Sequence, residues 1–125
     1  MLVVGGGPAG LECAPVAARR GFRRVHVGEA SPEVGGHLRW LTGLPGLGEW
    51  GRVVAWRRAQ LERLGNVTVG LDARLTAGEV RAYGAELVVV ATGAVWCEDG
   101  ASGMDGRPIP GADATLPWIL TPEQV

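Results

Sequence analysis

The stretch Met1-Leu2-Val3-Val4-Gly5-Gly6-Gly7-Pro8-Ala9-Gly10 decides the fold. A short apolar run stops at three glycines, which reads as a buried strand entering a turn. Pro8 then suits the first turn of a helix, where its missing N–H would be unpaired anyway. That helix is expected to run to Arg20, with Leu11, Val16, Ala17 and Ala18 as a small apolar face and Gly21 as its stop. Gly5 to Gly10 fits G-x-G-x-x-G, a weak pattern by itself. Here it follows a strand, opens a helix and precedes a second strand, Val25-His26-Val27. Glu29 stands nineteen residues after Gly10, just past that strand. This is the context of a dinucleotide-binding fingerprint. Gly5 permits the tight turn, Gly7 lets the backbone approach a pyrophosphate, and Gly10 lets helix and strand pack closely. The helix N-terminus offers unpaired N–H groups to phosphates. The Glu29 carboxylate can accept from ribose hydroxyls and would repel a 2′-phosphate, so the expected nucleotide is FAD, NAD or ADP rather than NADP. The competing reading is a glycine-rich turn beside a solvated glutamate.

Working outward, Arg19, Arg20, Arg23 and Arg24 crowd the end of the first helix, where they complement its dipole; an acidic partner or a nucleotide contact is the alternative. Pro15 lies inside that helix and removes a donor, at a cost of roughly 3 kcal/mol in a regular helix. A kink or local break is expected there, weakening nucleotide binding. His26 reads as a strand residue rather than a ligand, since no second histidine lies at metal-ligand spacing. Residues 28–48 form a long glycine-rich connection, of a length often functional. Glu49 to Leu64 returns to helical spacing through Trp50, Val53, Val54, Leu61 and Leu64. Trp50 and Trp56 read as packing residues rather than a stacking platform for bases. Val67-Thr68-Val69 begins a strand, Thr76 to Tyr83 a short helix with the capping-box pattern of Thr76 and Glu79, and Leu87 to Ala91 a strand covered on both faces. The fold class is therefore α/β: a Rossmann-like, mostly parallel sheet with helices on both faces, incomplete in its later strands. Residues 1–95 form the nucleotide-binding segment and 96–125 an irregular tail.

Composition narrows the function. The chain has 125 residues, 21 of them Gly and 8 Pro. That length suits one domain, able to bury roughly two-thirds of its unfolded surface. A catalytic barrel needs about 250 residues. Twelve basic against 13 acidic residues leave a net charge of −1, which argues against a nucleic-acid or membrane-surface binder. Every basic residue is arginine, so lysine Schiff-base chemistry and a phosphate-loop lysine are excluded. Cys13 and Cys97 cannot by themselves supply the four thiolates of an iron–sulfur cluster, and nothing else points to a disulfide. No metal ligand set and no catalytic residue is evident. No apolar run reaches the roughly 18 residues of a membrane span, and no leader precedes the glycine loop, so a cytoplasmic protein is expected.

Gly5 to Gly10 with Leu11-Glu12, Glu29, Gly35-Gly36 and Val89-Val90-Ala91-Thr92-Gly93-Ala94 resemble the FAD/NAD-linked reductase superfamily. Gly35-Gly36-His37-Leu38, Leu44-Pro45-Gly46-Leu47-Gly48-Glu49-Trp50, and the late Pro108-Ile109-Pro110-Gly111-Ala112-Asp113 and Leu120-Thr121-Pro122-Glu123-Gln124 are similar to the trimethylamine and dimethylamine dehydrogenases. The wider group includes histamine dehydrogenase, 2,4-dienoyl-CoA reductase and old-yellow-enzyme-like flavoproteins. The resemblance implies a longer protein. Such enzymes carry an N-terminal barrel with FMN and a four-iron four-sulfur cluster, then two nucleotide-binding-type domains, one inserted in the other. This chain corresponds to the first part of the interrupted domain, and its short first strand and absent flanking domains point to a fragment or a misplaced start. The implied cofactor is FAD or ADP. The implied contact residues are Gly5, Gly7, Pro8, Ala9, Gly10, Glu29, Gly36, His37, Leu38, Thr92 and Gly93, with His37 placed to reach a phosphate or ribose. The implied partners are the absent barrel and inserted domain. Two alternatives stay open: a complete small FAD- or NAD-dependent reductase acting as an oligomer, and a non-catalytic docking module whose Trp96 and Trp118 are exposed.

Overall fold

In the computed structural model, which describes residues 1–124, short apolar runs become strands and the intervening stretches become helices. In chain order these are β1 (Leu2–Val4), α1 (Pro8–Arg19), β2 (Val25–Gly28), α2 (Leu38–Leu41), α3 (Gly51–Glu62), β3 (Val67–Gly70), α4 (Ala77–Ala82) and β4 (Val88–Val90). Single 3₁₀ turns lie at Gly48–Trp50 and Pro122–Gln124. The four strands form one parallel sheet in the order β3-β2-β1-β4. The chain builds outward from β1 to β3, then crosses back to place β4 on the other side of β1. In sheets of this kind, ligands bind at the carboxyl ends of the strands where the order reverses.

Strand alternation assigns the two faces. Val3, Val25 and Val27 point one way and form the core with Leu11, Ala14, Ala17 and Ala18 of α1 and Leu61 of α3. His26 points the other way and meets Tyr83, which follows α4, through ring contact and a short Nδ1···hydroxyl hydrogen bond. Helices therefore flank both faces, as the alternating pattern implied. Thr76 caps α4 with the expected reciprocal box: its hydroxyl accepts from the Glu79 N–H at 3.3 Å, and its own N–H donates to the Glu79 carboxylate at 2.8 Å.

Three expectations fail in whole or in part. Of the kink or local break expected at Pro15, the break is absent: helix α1 continues to Arg19. Pro15 is buried on its inner face, so packing holds the turn that the ring disfavours. Trp50 and Trp56 do not pack inside; they are 48% and 55% exposed. In α3 only Leu61 is fully buried; Val54 packs against the core from a half-buried position, and Trp56 lies on the other side of the helix. Strand β4 is not covered on both faces. It lies at the sheet edge, and Val90 is 72% exposed.

The residues from Ala94 onward form a second compact unit. It is made of turns, pinned by one antiparallel bridge between Ala101 and Pro108 and by the Ile109 N–H donating to the Gly100 carbonyl at 2.9 Å. Asp99, Asp105 and Asp113 each accept from a backbone N–H two residues on, the usual turn chemistry of aspartate. Trp96 and Trp118 are exposed here. Cys13 and Cys97 are free thiols. Among the described residues no helix is long and apolar enough to cross a membrane.

Candidate functional site: a cleft at the start of α1

Strands β1, β2 and β4 end together, and the cleft above them holds about 520 Å³. Gly5 leaves β1 with φ +108°, a conformation that favours glycine. A side chain there would also strike the Ala91 carbonyl of the neighbouring strand end. Its N–H donates to the Gly28 carbonyl at 2.8 Å, which turns the chain sharply into α1. Gly10 sits one turn into α1 against the Gly5 carbonyl, where a Cβ has no room. The helix start is thereby pressed onto the strand end. No side chain caps it, and no acidic residue occupies its first turn. Its free N–H groups and the positive end of its dipole are left for an anion. A Cβ built on Gly7 would meet only the Gly36 Cα, at 3.9 Å. Backbone is thus the surface presented to a ligand on that side of the cleft.

Glu29 is the buried acid of the site, 7% exposed. Its Oε2 accepts from the Gly6 N–H at 2.6 Å and its Oε1 from the Ser31 N–H at 2.8 Å. Burial pushes its carboxyl up, but the N–H donors of Ser31 and Gly6 outweigh that and hold it below the ordinary glutamate value. The carboxylate therefore stays charged and fixes the glycine loop. Each oxygen retains acceptor capacity for a further donor. The Gly35 N–H, donating to the Gly6 carbonyl at 2.8 Å, ties the long connection to the same loop.

The cleft brings together Gly5, Gly7, Pro8, Ala9, Glu29, Gly36, His37, Thr92 and Gly93. Two expected residues lie off it. Gly10 acts beneath, by letting helix and strand approach. Leu38 begins α2 and faces a separate groove between α2 and α3. His37 lies at the cleft with its ring centroid 5.4 Å from that of Trp40. The sequence reading missed the far wall, Ser31 and Ala73-Arg74-Leu75. The Ala73 N–H donates to the Glu29 carbonyl at 2.7 Å and the Asp72 N–H to the Ser31 carbonyl at 3.0 Å. This segment follows β3, so the rule that ligands gather at strand carboxyl ends would have found it.

The fold is that of an α/β unit with a parallel sheet and a cleft at its strand ends. Residues 1–46 match the FAD binding domain family. Across its whole length the chain is 45% identical to the dimethylamine dehydrogenase of Hyphomicrobium sp. (strain x), of which it spans 18%. Among solved structures, a 6-hydroxypseudooxynicotine amine oxidase from Pseudomonas geniculata N1 superposes on 93% of this chain and 17% of its own, with TM-score 0.80 and 46% identity. Histamine dehydrogenase from Rhizobium sp. 4-9 superposes on 86% of this chain and 16% of its own, with TM-score 0.79 and 43% identity. The chain thus resembles the flavin-dependent oxidoreductases of the dimethylamine and histamine dehydrogenase type. It spans less than a fifth of the length of each of these relatives.

Proposed function

We propose that the chain binds the ADP portion of FAD, or ADP itself, as the nucleotide-binding module of a flavin-dependent, amine-dehydrogenase-like oxidoreductase. The observation that carries this reading is the uncapped start of α1, facing a cleft whose opposite side holds a buried, charged Glu29. A pyrophosphate suits the first, and ribose hydroxyls suit the second. Gly5, Gly7, Pro8, Ala9, Gly36, Thr92 and Gly93 would line the phosphates, Glu29 the ribose, and His37 the mouth of the site. When FAD is bound, its flavin supplies electron transfer. The chain's own residues bind and orient the nucleotide. Turnover would need the parts found in longer relatives, which the resemblance identifies as a barrel with FMN and a four-iron cluster and an inserted nucleotide-binding domain.

The test is ligand-dependent stability of the purified chain. Saturating ADP or FAD should raise its melting temperature, by an amount equivalent to about 2.7 kcal/mol at a hundred times Kd. Bound FAD would show a flavin absorption band, and ADP would not. A melting temperature unmoved by both nucleotides would overturn the reading. NADH oxidation by the isolated chain would favour a complete small reductase instead.

A further inference from the structure

We infer that Arg74 is a base-binding residue at the far end of the cleft, laying its guanidinium against the purine of the bound nucleotide. This rests on the nucleotide-binding reading above and goes beyond it, since the G-x-G-x-x-G fingerprint and its acid say nothing about the base. The position follows from connectivity. Phosphates at the start of α1 and ribose at Glu29 leave the base on the far side of Glu29. That side is formed by Ser31 and by Ala73-Arg74-Leu75, which run alongside residues 29–31 through the Ala73 and Asp72 hydrogen bonds. Leu75 packs over Gly28, whose missing side chain leaves it room, and so provides an apolar floor. Arg74 lies on the wall beside it and is the only arginine among the described residues lining the cleft.

Its availability is the second argument. Glu29 is the acid at the site, and its two oxygens already hold the Gly6 and Ser31 N–H groups. Arg39, Arg52, Arg57, Arg58 and Arg107 are each paired with a carboxylate. Arg74, like the exposed Arg20, Arg23, Arg24, Arg63 and Arg81, has no ion pair and no side-chain hydrogen bond among the described residues, and of these it alone lines the cleft. A planar, weakly hydrated guanidinium without a partner, next to an apolar floor, matches the flat π-face of a base. A lysine ammonium would not.

The experiment is calorimetric titration of ADP and AMP into the full chain and into the variants Arg74→Ala, Arg74→Lys and Arg63→Ala. Arg63 is an exposed arginine after α3 and controls for net charge. Circular dichroism verifies that each variant is folded. Arg74→Ala should weaken ADP and AMP by the same factor, roughly five- to tenfold. Arg74→Lys should recover little of the loss, Arg63→Ala should change nothing, and added salt should leave the wild-type-to-variant ratio unchanged. Binding by Arg74→Ala equal to wild type would overturn the inference. So would a loss greater for ADP than for AMP that shrinks in salt, because Arg74 would then be pairing with phosphate. A folded wild-type chain that binds neither ADP nor AMP would overturn the nucleotide reading itself, an outcome distinct from both.

Discussion

Helices α1 and α3 are each twelve residues long and lie on the same face of the sheet, yet they do different work. Helix α1 buries six residues: Gly10, Leu11, Ala14, Pro15, Ala17 and Ala18. Helix α3 buries Leu61 alone. The difference lies in side-chain size. The inner face of α1 is glycine, alanine and proline around one leucine, so its axis comes close to the strands and its N-terminus is fixed against the end of β1. The bulky Trp56 and Arg52 and Arg58 of α3 face outward instead, while Arg57 reaches across to pair with Glu12 of α1 at 2.9 Å. Close approach is what the site requires, because a helix dipole acts on an anion only within its first turn. The helix that carries the site is therefore also the one that carries the core.

The largest test of this contrast is Leu11→Ala set against Leu61→Ala. Leu11 is fully buried at the centre of the core, so its truncation should cost about 2–5 kcal/mol by urea unfolding. It should also weaken ADP binding by loosening α1. Leu61→Ala should fall at the lower end of that range and leave ADP affinity unchanged. Equal effects on affinity would break the assignment of the site to α1.

Next in size is the charge that holds the glycine loop. Glu29 has a folded-state pKa below its ordinary 4.5, so its contribution is fully present above that value. It is lost as pH falls through the folded value. The melting temperature of the wild type should therefore drop as pH goes below 4.5. Glu29→Gln should flatten that part of the profile and cost about 1–3 kcal/mol at neutral pH. An unchanged profile would mean that Glu29 does not brace Gly6 and Ser31.

The smallest effect belongs to the outer face of α3. Trp56→Ala, at 55% exposure, should change stability by no more than about 0.5 kcal/mol. A larger loss would show that the helix shares the core more evenly than its burial indicates.

Much of this was legible in the sequence because it depends on local chemistry. The stop of Met1–Val4 at three glycines, Pro8 at a helix start, and Thr76 with Glu79 as a cap each specify a backbone event within a few residues. The parallel α/β arrangement then follows from alternation. Most of the cleft was legible too, since the glycine loop and Glu29 act through fixed spacing. The far wall was not. Arg74 carries no motif, and only the pairing of β3 beside β2 brings it to Glu29. The same limit explains the misplaced tryptophans. Helical spacing marks Trp50 and Val53 as one stripe, but which side of α3 meets the core depends on where α1 already lies.

The sequence by itself determined the turn at Gly5, the helix after it and the acid that follows the second strand, because backbone sterics and spacing set these without reference to distant residues. Only the tertiary structure decided that Glu29 braces the glycine loop with its carboxylate, that Pro15 is tolerated inside α1, and that Arg74 stands at the cleft. Each of those depends on which strands lie side by side, and so on packing between residues far apart in the chain.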